Sequence, residues 1–169
     1  MKNVILSCLF VMLGVTVLAA QDSDPVFNQA EILFAEGKYE EAAKLYSRVL
    51  ESDPDNLNGY LRRGFCFSVL KKYEMAIADF SVVIDKHPDH PFAYISRGSA
   101  YNKTEDFKSA LIDFDRALNI DPKNQEAYNN RGWAKNGMGL YKEACKDWKE
   151  SRKLGNEEAK IILKNNHCK

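Results

Sequence analysis

A step of 34 residues constrains this chain more tightly than any other feature. Pro54, Pro88 and Pro122 keep that step, as do Gly64, Gly98 and Gly132. So do Ala42, Ala76, Ala110 and Ala144, and two aromatic columns: Tyr39, Tyr73, Phe107, Tyr141 and Tyr46, Phe80, Phe114, Trp148. Columns held in register over most of the chain mean one supersecondary unit used repeatedly. Such units stack, because none can bury its apolar face alone.

Spacing inside a unit is helical. In the third unit Phe92, Tyr94, Ile95 and Tyr101 mark a first helix, and NKTED (102–106) turns the chain. Phe107, Ala110, Leu111, Phe114 and Leu118 then recur at helical spacing and mark a second. Gly98 and Ala110 are small where two helices must cross closely, and the aromatic columns fill the gaps between crossings. The Asp-Pro, His-Pro and Asp-Pro steps at Pro54, Pro88 and Pro122 end each second helix, since a residue before proline avoids the helical region. Asp24-Pro25 is a good helix start. The last unit lacks a closing proline and runs through Lys153-Leu154-Gly155 into a stretch striped by Ala159, Ile162 and Leu163. Residues 156–166 are predicted to form a helix capping the open end of the stack.

The run Tyr60, Arg63-Gly64, Phe67, Ala76, Phe80, Pro88, repeated as Tyr94, Arg97-Gly98, Tyr101, Ala110, Phe114, Pro122, resembles the tetratricopeptide repeat family. The resemblance covers residues 25 to about 153. It implies an all-α, right-handed superhelical solenoid of four helical hairpins over residues 24–56, 57–90, 91–124 and 125–155. A capping helix and tail, 156–169, would follow.

Sixteen residues after each repeated arginine stands an aspartate: Arg63 and Asp79, Arg97 and Asp113, Arg131 and Asp147. The first unit has neither, carrying Gln29 and Leu45 instead. Residues that come and go together fit structural ion pairs, joining either the two helices of a hairpin or neighbouring hairpins. A ligand role for these arginines is the lesser alternative.

The N-terminus is expected to be a secretory signal. Met1-Lys2, an apolar stretch from Val4 to Val17, and small residues up to Ala20 make the three-part pattern of a leader over residues 1–20, cut after Ala20. That stretch is short for a spanning helix, and Cys8 comes too early for a lipoprotein. The expected location is therefore secreted or periplasmic, with no membrane span after cleavage. Cys66, Cys145 and Cys168 remain, an odd number for an oxidising compartment. Cys66 reads as a buried small residue between Phe65 and Phe67. Cys145 and Cys168 are the disulfide candidates, because a turn near Gly155 brings the chain end back alongside Cys145. Metal binding by Cys145, His167 and Cys168 is the lesser alternative, as a fourth ligand is missing. The segment from Glu143 to Cys168 also resembles the ends of small secreted repeat proteins of Gram-negative, Bacteroidetes-type bacteria.

Catalysis finds no foothold in the sequence. The chain has 24 basic and 24 acidic residues, so no basic excess points to nucleic acid. His87-Pro-Asp-His90 replaces the turn Asp53 to Asn56 rather than making a metal site. No serine or cysteine has a well-placed histidine, and GMGLYKEA (137–144) is a helix link rather than a phosphate loop. We expect no enzyme, no cofactor, no metal and no small-molecule substrate.

In the family resembled, the first helices line a concave groove that takes peptides or partner helices. Carried onto this chain, that groove would hold Asn28, Glu31, Asn58, Arg62, Phe65, Phe92, Ser96, Ser99, Glu126, Asn130 and Trp133. Phe65 and Trp133 would be apolar anchors and Arg62, Ser96 and Asn130 polar handles; packing between repeats is the competing role for these aromatics. A chaperone-tail carboxylate clamp is not matched, since Phe27, Glu31, Arg62, Phe92 and Ser96 stand where Lys, Asn, Asn, Lys and Arg are needed. The expected function is a scaffold or adaptor holding a peptide segment or partner helix. The second reading is an accessory subunit of an envelope assembly or secretion complex, contacting partners through its convex face or capping helix.

Overall fold

The computed structural model describes residues 24–166 and 168. The leader expected at residues 1–20 and the residue His167 lie outside the described residues. The described residues form helices and connecting turns without a strand. Four antiparallel hairpins follow one another: α1 (Pro25–Ala35) with α2 (Tyr39–Ser52), α3 (Leu57–Val69) with α4 (Tyr73–Lys86), α5 (Pro91–Lys103) with α6 (Phe107–Ile120), and α7 (Gln125–Gly137) with α8 (Tyr141–Lys153). The single helix α9 (Glu157–Asn165) closes the series. Each helix packs on its sequence neighbours, and α5 also touches α3 and α7, so the first helices lie side by side. The solenoid is therefore all-helical, and no described helix is long and apolar enough to cross a membrane.

One capping device starts the first helix of every later unit. The side chains of Asn56, His90, Asn124 and Asn156 accept hydrogen bonds from the backbone N–H three residues on, at 2.9, 3.2, 3.0 and 3.3 Å. Each satisfies one of the orphan donors of a helix N-terminus. His90 thus does the work of an asparagine, accepting at Nδ1. Helix α9 begins in the same way and is the first half of a fifth unit. Asp24 caps α1 by accepting from the N–H of Val26 at 2.8 Å.

The turns inside the hairpins share a second device. Gly37, Lys71, Glu105 and Gly139, again 34 apart, all have left-handed backbones, with φ of 77°, 59°, 61° and 78°. The next residue's N–H bonds back five residues in each case: Lys38 to Leu33, Lys72 to Phe67, Asp106 to Tyr101 and Leu140 to Lys135, all within 2.8–3.0 Å. This is a Schellman end, which satisfies the last carbonyls of the first helix. The NKTED segment is accordingly shorter as a turn than its composition implies, because α5 continues through Lys103.

Packing explains the glycine column. A Cβ built on Gly64 or Gly98 would stand 2.9 Å from the ring edge of Phe80 or Phe114, and one on Gly132 would strike Trp148. The first helix crosses directly over the aromatic of the second. Ala42, Ala76, Ala110 and Ala144 are fully buried at the same crossings. Phe92 departs from the apolar column expected of α5: it is 46% exposed and outside the core. The turn aromatics fill gaps only where another repeat follows. Tyr39 lies 6.2 Å from Phe65 of the next hairpin, whereas Tyr141, followed among the described residues by the single helix α9, is 65% exposed.

Each arginine grips two helices. Arg63, Arg97 and Arg131 donate through Nε and Nη2 to both carboxylate oxygens of Asp79, Asp113 and Asp147, at 2.7–2.9 Å. Their remaining Nη1 reaches back to the preceding hairpin, to Ser47 at 3.1 Å, Ser81 at 2.9 Å and Asp115 at 2.6 Å. Both geometries raised from sequence, within a hairpin and between hairpins, therefore occur in one side chain. Among the described residues no hairpin precedes the first unit, and there Gln29 and Leu45 occupy the two positions. At the other end Cys145 and Cys168 are joined as a disulfide with Cα atoms 5.5 Å apart, tying the tail to α8.

Candidate functional site

The face formed by α1, α3, α5 and α7 carries two separate hollows. The first, about 370 Å³, lies between α1, α3 and α5 and is lined by Phe34, Asn58, Leu61, Arg62, Phe65 and Phe92. The second, about 300 Å³, lies across α5 and α7 at their C-terminal ends. Ser99, Asn102, Lys103, Phe107, Asn130, Trp133, Asn136 and Gly137 line it.

Aromatic rings built by the helices themselves form the first hollow. Phe34 and Phe65 sit with ring centroids 5.3 Å apart, and Phe65 and Phe92 remain 37% and 46% exposed. Arg62 is held in place: its Nε lies 3.0 Å from Glu31, and its guanidinium carbon stands 4.9 Å over the Phe34 ring. Glu31 also accepts a hydrogen bond from the Tyr46 hydroxyl. Burial, then that bond to Glu31, pushes the Tyr46 phenol well above the usual tyrosine range. Below these groups Cys66 is buried, and desolvation pushes its thiol up to about 11. The cluster is thus rigid and charge-compensated beneath an apolar surface.

Amides form the second hollow. The Asn102 side-chain N–H donates to the backbone carbonyl of Asn130 at 2.9 Å, and its Oδ1 is buried without a hydrogen-bond partner. Asn130 Nδ2 donates to Ser99 Oγ at 3.2 Å. Trp133, 40% exposed, packs edge-on against the buried Trp148 at 5.2 Å, and the Trp148 indole N–H donates to the Asn129 carbonyl at 3.2 Å. The hollow presents donors and acceptors around an indole floor. That is suitable chemistry for a peptide main chain, whose N–H and C=O groups need both.

The predicted groove residues distribute unevenly. Asn58, Arg62, Phe65 and Phe92 come together in the first hollow, and Ser99, Asn130 and Trp133 in the second. Asn28 and Glu126 are exposed outside both, Glu31 supports Arg62 from beside the first, and partly buried Ser96 lines neither. The column of Arg62, Ser96 and Asn130 is therefore not one continuous recognition strip. Sequence reasoning missed Phe34, Asn102 and Asn136, which with Ser68 form their own column of step 34. Its variation from Phe to Ser to Asn was the available signal. Phe65 and Trp133 combine the two roles raised for them, packing on neighbouring rings while leaving about a third or more of their surface open.

Among the described residues no group of three His, Cys, Asp or Glu side chains is placed to hold a metal ion. Comparison with known proteins gives the lineage of the fold. Models described as TPR repeat or tetratricopeptide repeat match residues 30–68, 59–90, 93–124 and 114–146. No curated protein sequence matches. Among solved structures, MamA 41-end from Desulfovibrio magneticus RS-1 is similar at 22% identity and a TM-score of 0.74, over 77% of this chain and 73% of its own. A MamA RS-1 ArsTM double mutant shares 21% identity with a TM-score of 0.75, over 83% and 79% of the two chains. A further MamA crystal structure shares 21% identity with a TM-score of 0.71, over 75% and 74%. Matched repeats, the 34-residue register and the stacked hairpins agree: the chain belongs to the tetratricopeptide repeat family.

Proposed function

We propose that this protein is a non-catalytic interaction scaffold that holds one extended peptide segment of a partner protein along the face of its first helices. The observation that carries this reading is the pair of hollows with complementary chemistry. The Phe34–Phe65–Phe92 hollow takes an apolar anchor side chain, and the Asn102–Asn130–Asn136 hollow holds peptide main chain over Trp133. Pre-formed aromatic pockets with a few convergent polar groups are where binding energy concentrates. Arg62 is already fixed by Glu31 and Phe34, so little side-chain entropy is lost when a peptide docks against it. We further propose that the protein works outside the cytoplasm. The leader pattern of residues 1–20 and the Cys145–Cys168 pairing support that location.

Panning a random peptide library on the chain from Gln21 to Lys169 tests the reading. Enriched peptides should carry a large apolar residue and lose at least about tenfold in affinity with either Phe65→Asp or Trp133→Ala, a loss of about 1.4 kcal/mol. Peptides that bind both variants as tightly as the parent would sink the proposal.

A further inference from the structure

The two ends of the described stack each expose an apolar residue at a position that interior repeats bury wholly or in part. At the first end, Ile32 on α1 is 52% exposed, while its counterparts Cys66, Ala100 and Ala134 are 0–2% exposed. Cys66 and Ala134 cluster with α2 and α6, the second helices of the preceding hairpins, and among the described residues no hairpin precedes α1. At the last end, Ile161 stands five residues after the α9 cap Asn156, as Ile95 stands five after His90. Ile95 is 3% exposed in a core cluster shared with Ala110 and Phe114 of its own α6, whereas Ile161 is 62% exposed. Tyr141 adds an open aromatic ring at this end.

Charge divides in the same direction. Residues 24–56 carry eight acidic and three basic side chains, and residues 141–166 carry seven basic and five acidic. Beside Ile32 stands Glu36, exposed like Glu40 and Glu41. Ile161 lies between Lys160 and Lys164, and a hollow of about 470 Å³ at this end is lined by Tyr141, Lys142 and Lys146. Like ends repel and unlike ends attract, so contact between two first ends is disfavoured.

From this geometry we infer that the protein associates head to tail with a second copy of itself. The acidic Ile32 end of one molecule packs on the basic Tyr141–Ile161 end of the next. The contact is heterologous, so it leaves one free end of each kind and propagates into a ring or a short fibre. It uses neither hollow of the first-helix face and is independent of peptide binding. Because the charges are exposed, added salt weakens it.

Blocked ends provide the test, read as mass by sedimentation velocity on the chain from Gln21 to Lys169. The parent's average mass should rise with concentration and pass that of a dimer, and fall back in high salt. Ile32→Asp blocks one end and Tyr141→Asp/Ile161→Asp the other. Each should stay monomeric alone, and an equimolar mixture should form a dimer and stop there. Exposure of all three residues keeps the variants folded, which circular dichroism checks. Lys160→Glu/Lys164→Glu blocks the second end without touching an apolar group. A parent that is monomeric at every concentration overturns the inference, whatever else covers the ends. So does a single blocked variant that still dimerises, which means an isologous contact, and so does a mixture that stays monomeric.

Discussion

Replacing Arg97 by alanine isolates the device that holds the stack together. Arg97 donates two bonds of 2.8 Å to Asp113 and one of 2.9 Å to Ser81. Its guanidinium carbon also lies 5.9 Å from the rings of both Tyr94 and Tyr101. The magnitude follows from burial. The Asp113 side chain is 2% exposed and that of Arg97 18%, so Arg97→Ala strands a carboxylate that water cannot reach. Breaking a buried pair from one side costs about 3–5 kcal/mol, and the partial exposure of Arg97 places this case near ~3 kcal/mol. With a urea m-value of about 2 kcal/mol/M, the midpoint followed by circular dichroism should fall by about 1.5 M. Arg97→Ala/Asp113→Ala should recover part of that loss, because no lone carboxylate is left. Lys86→Ala is the control: its partner Asp55 is at 2.8 Å, but the two side chains are 57% and 80% exposed, and the midpoint should not move. An Arg97→Ala midpoint within about 0.2 M of the parent, or a double variant no more stable than the single, would refute the reasoning. An unchanged m-value is required for the comparison, since repeat arrays can lose cooperativity.

Glu105→Gly should stabilise the protein by about 0.5–1 kcal/mol, because Glu105 holds φ at 61° where Gly37 and Gly139 serve the same turn; a lower urea midpoint would argue against it. Cys66 should resist iodoacetamide at pH 8 in the native state and react on unfolding, since its thiol is raised to about 11 from 9.0. The sign of the linkage follows from that shift. The buried thiol contributes full stability below pH 9.0 and loses it as pH climbs towards about 11, visible as a Cys66→Ala variant with a flatter profile there. Reducing Cys145–Cys168, which closes a separation of 23 residues, should cost about 3 kcal/mol; faster amide exchange is expected in α9 and unchanged exchange in α3 to α6.

The 34-residue step, the apolar spacing and the prolines were enough to lay out four hairpins and a capping helix, because helical faces are a local property of a sequence. The arginine–aspartate columns were legible in the same way: both members recur at a fixed spacing in three units and are absent together from the first. Other features needed the tertiary structure. Glu105 falls within the turn read from NKTED, but neither it nor Lys71 looks like a left-handed residue, and only the backbone places them in the same position as Gly37 and Gly139. The single groove drawn from the first helices became two hollows, because rings and amides from helix ends, Phe34, Asn102 and Asn136, reach the face there. The contacts of the arginines with Ser47, Ser81 and Asp115 also join residues whose proximity depends on how one hairpin seats on another. Ile32 and Cys66 occupy the same column, yet one is half exposed and the other buried. A periodic sequence determines what each position is; the neighbours that stacking supplies, or fails to supply at the ends, decide what that position touches.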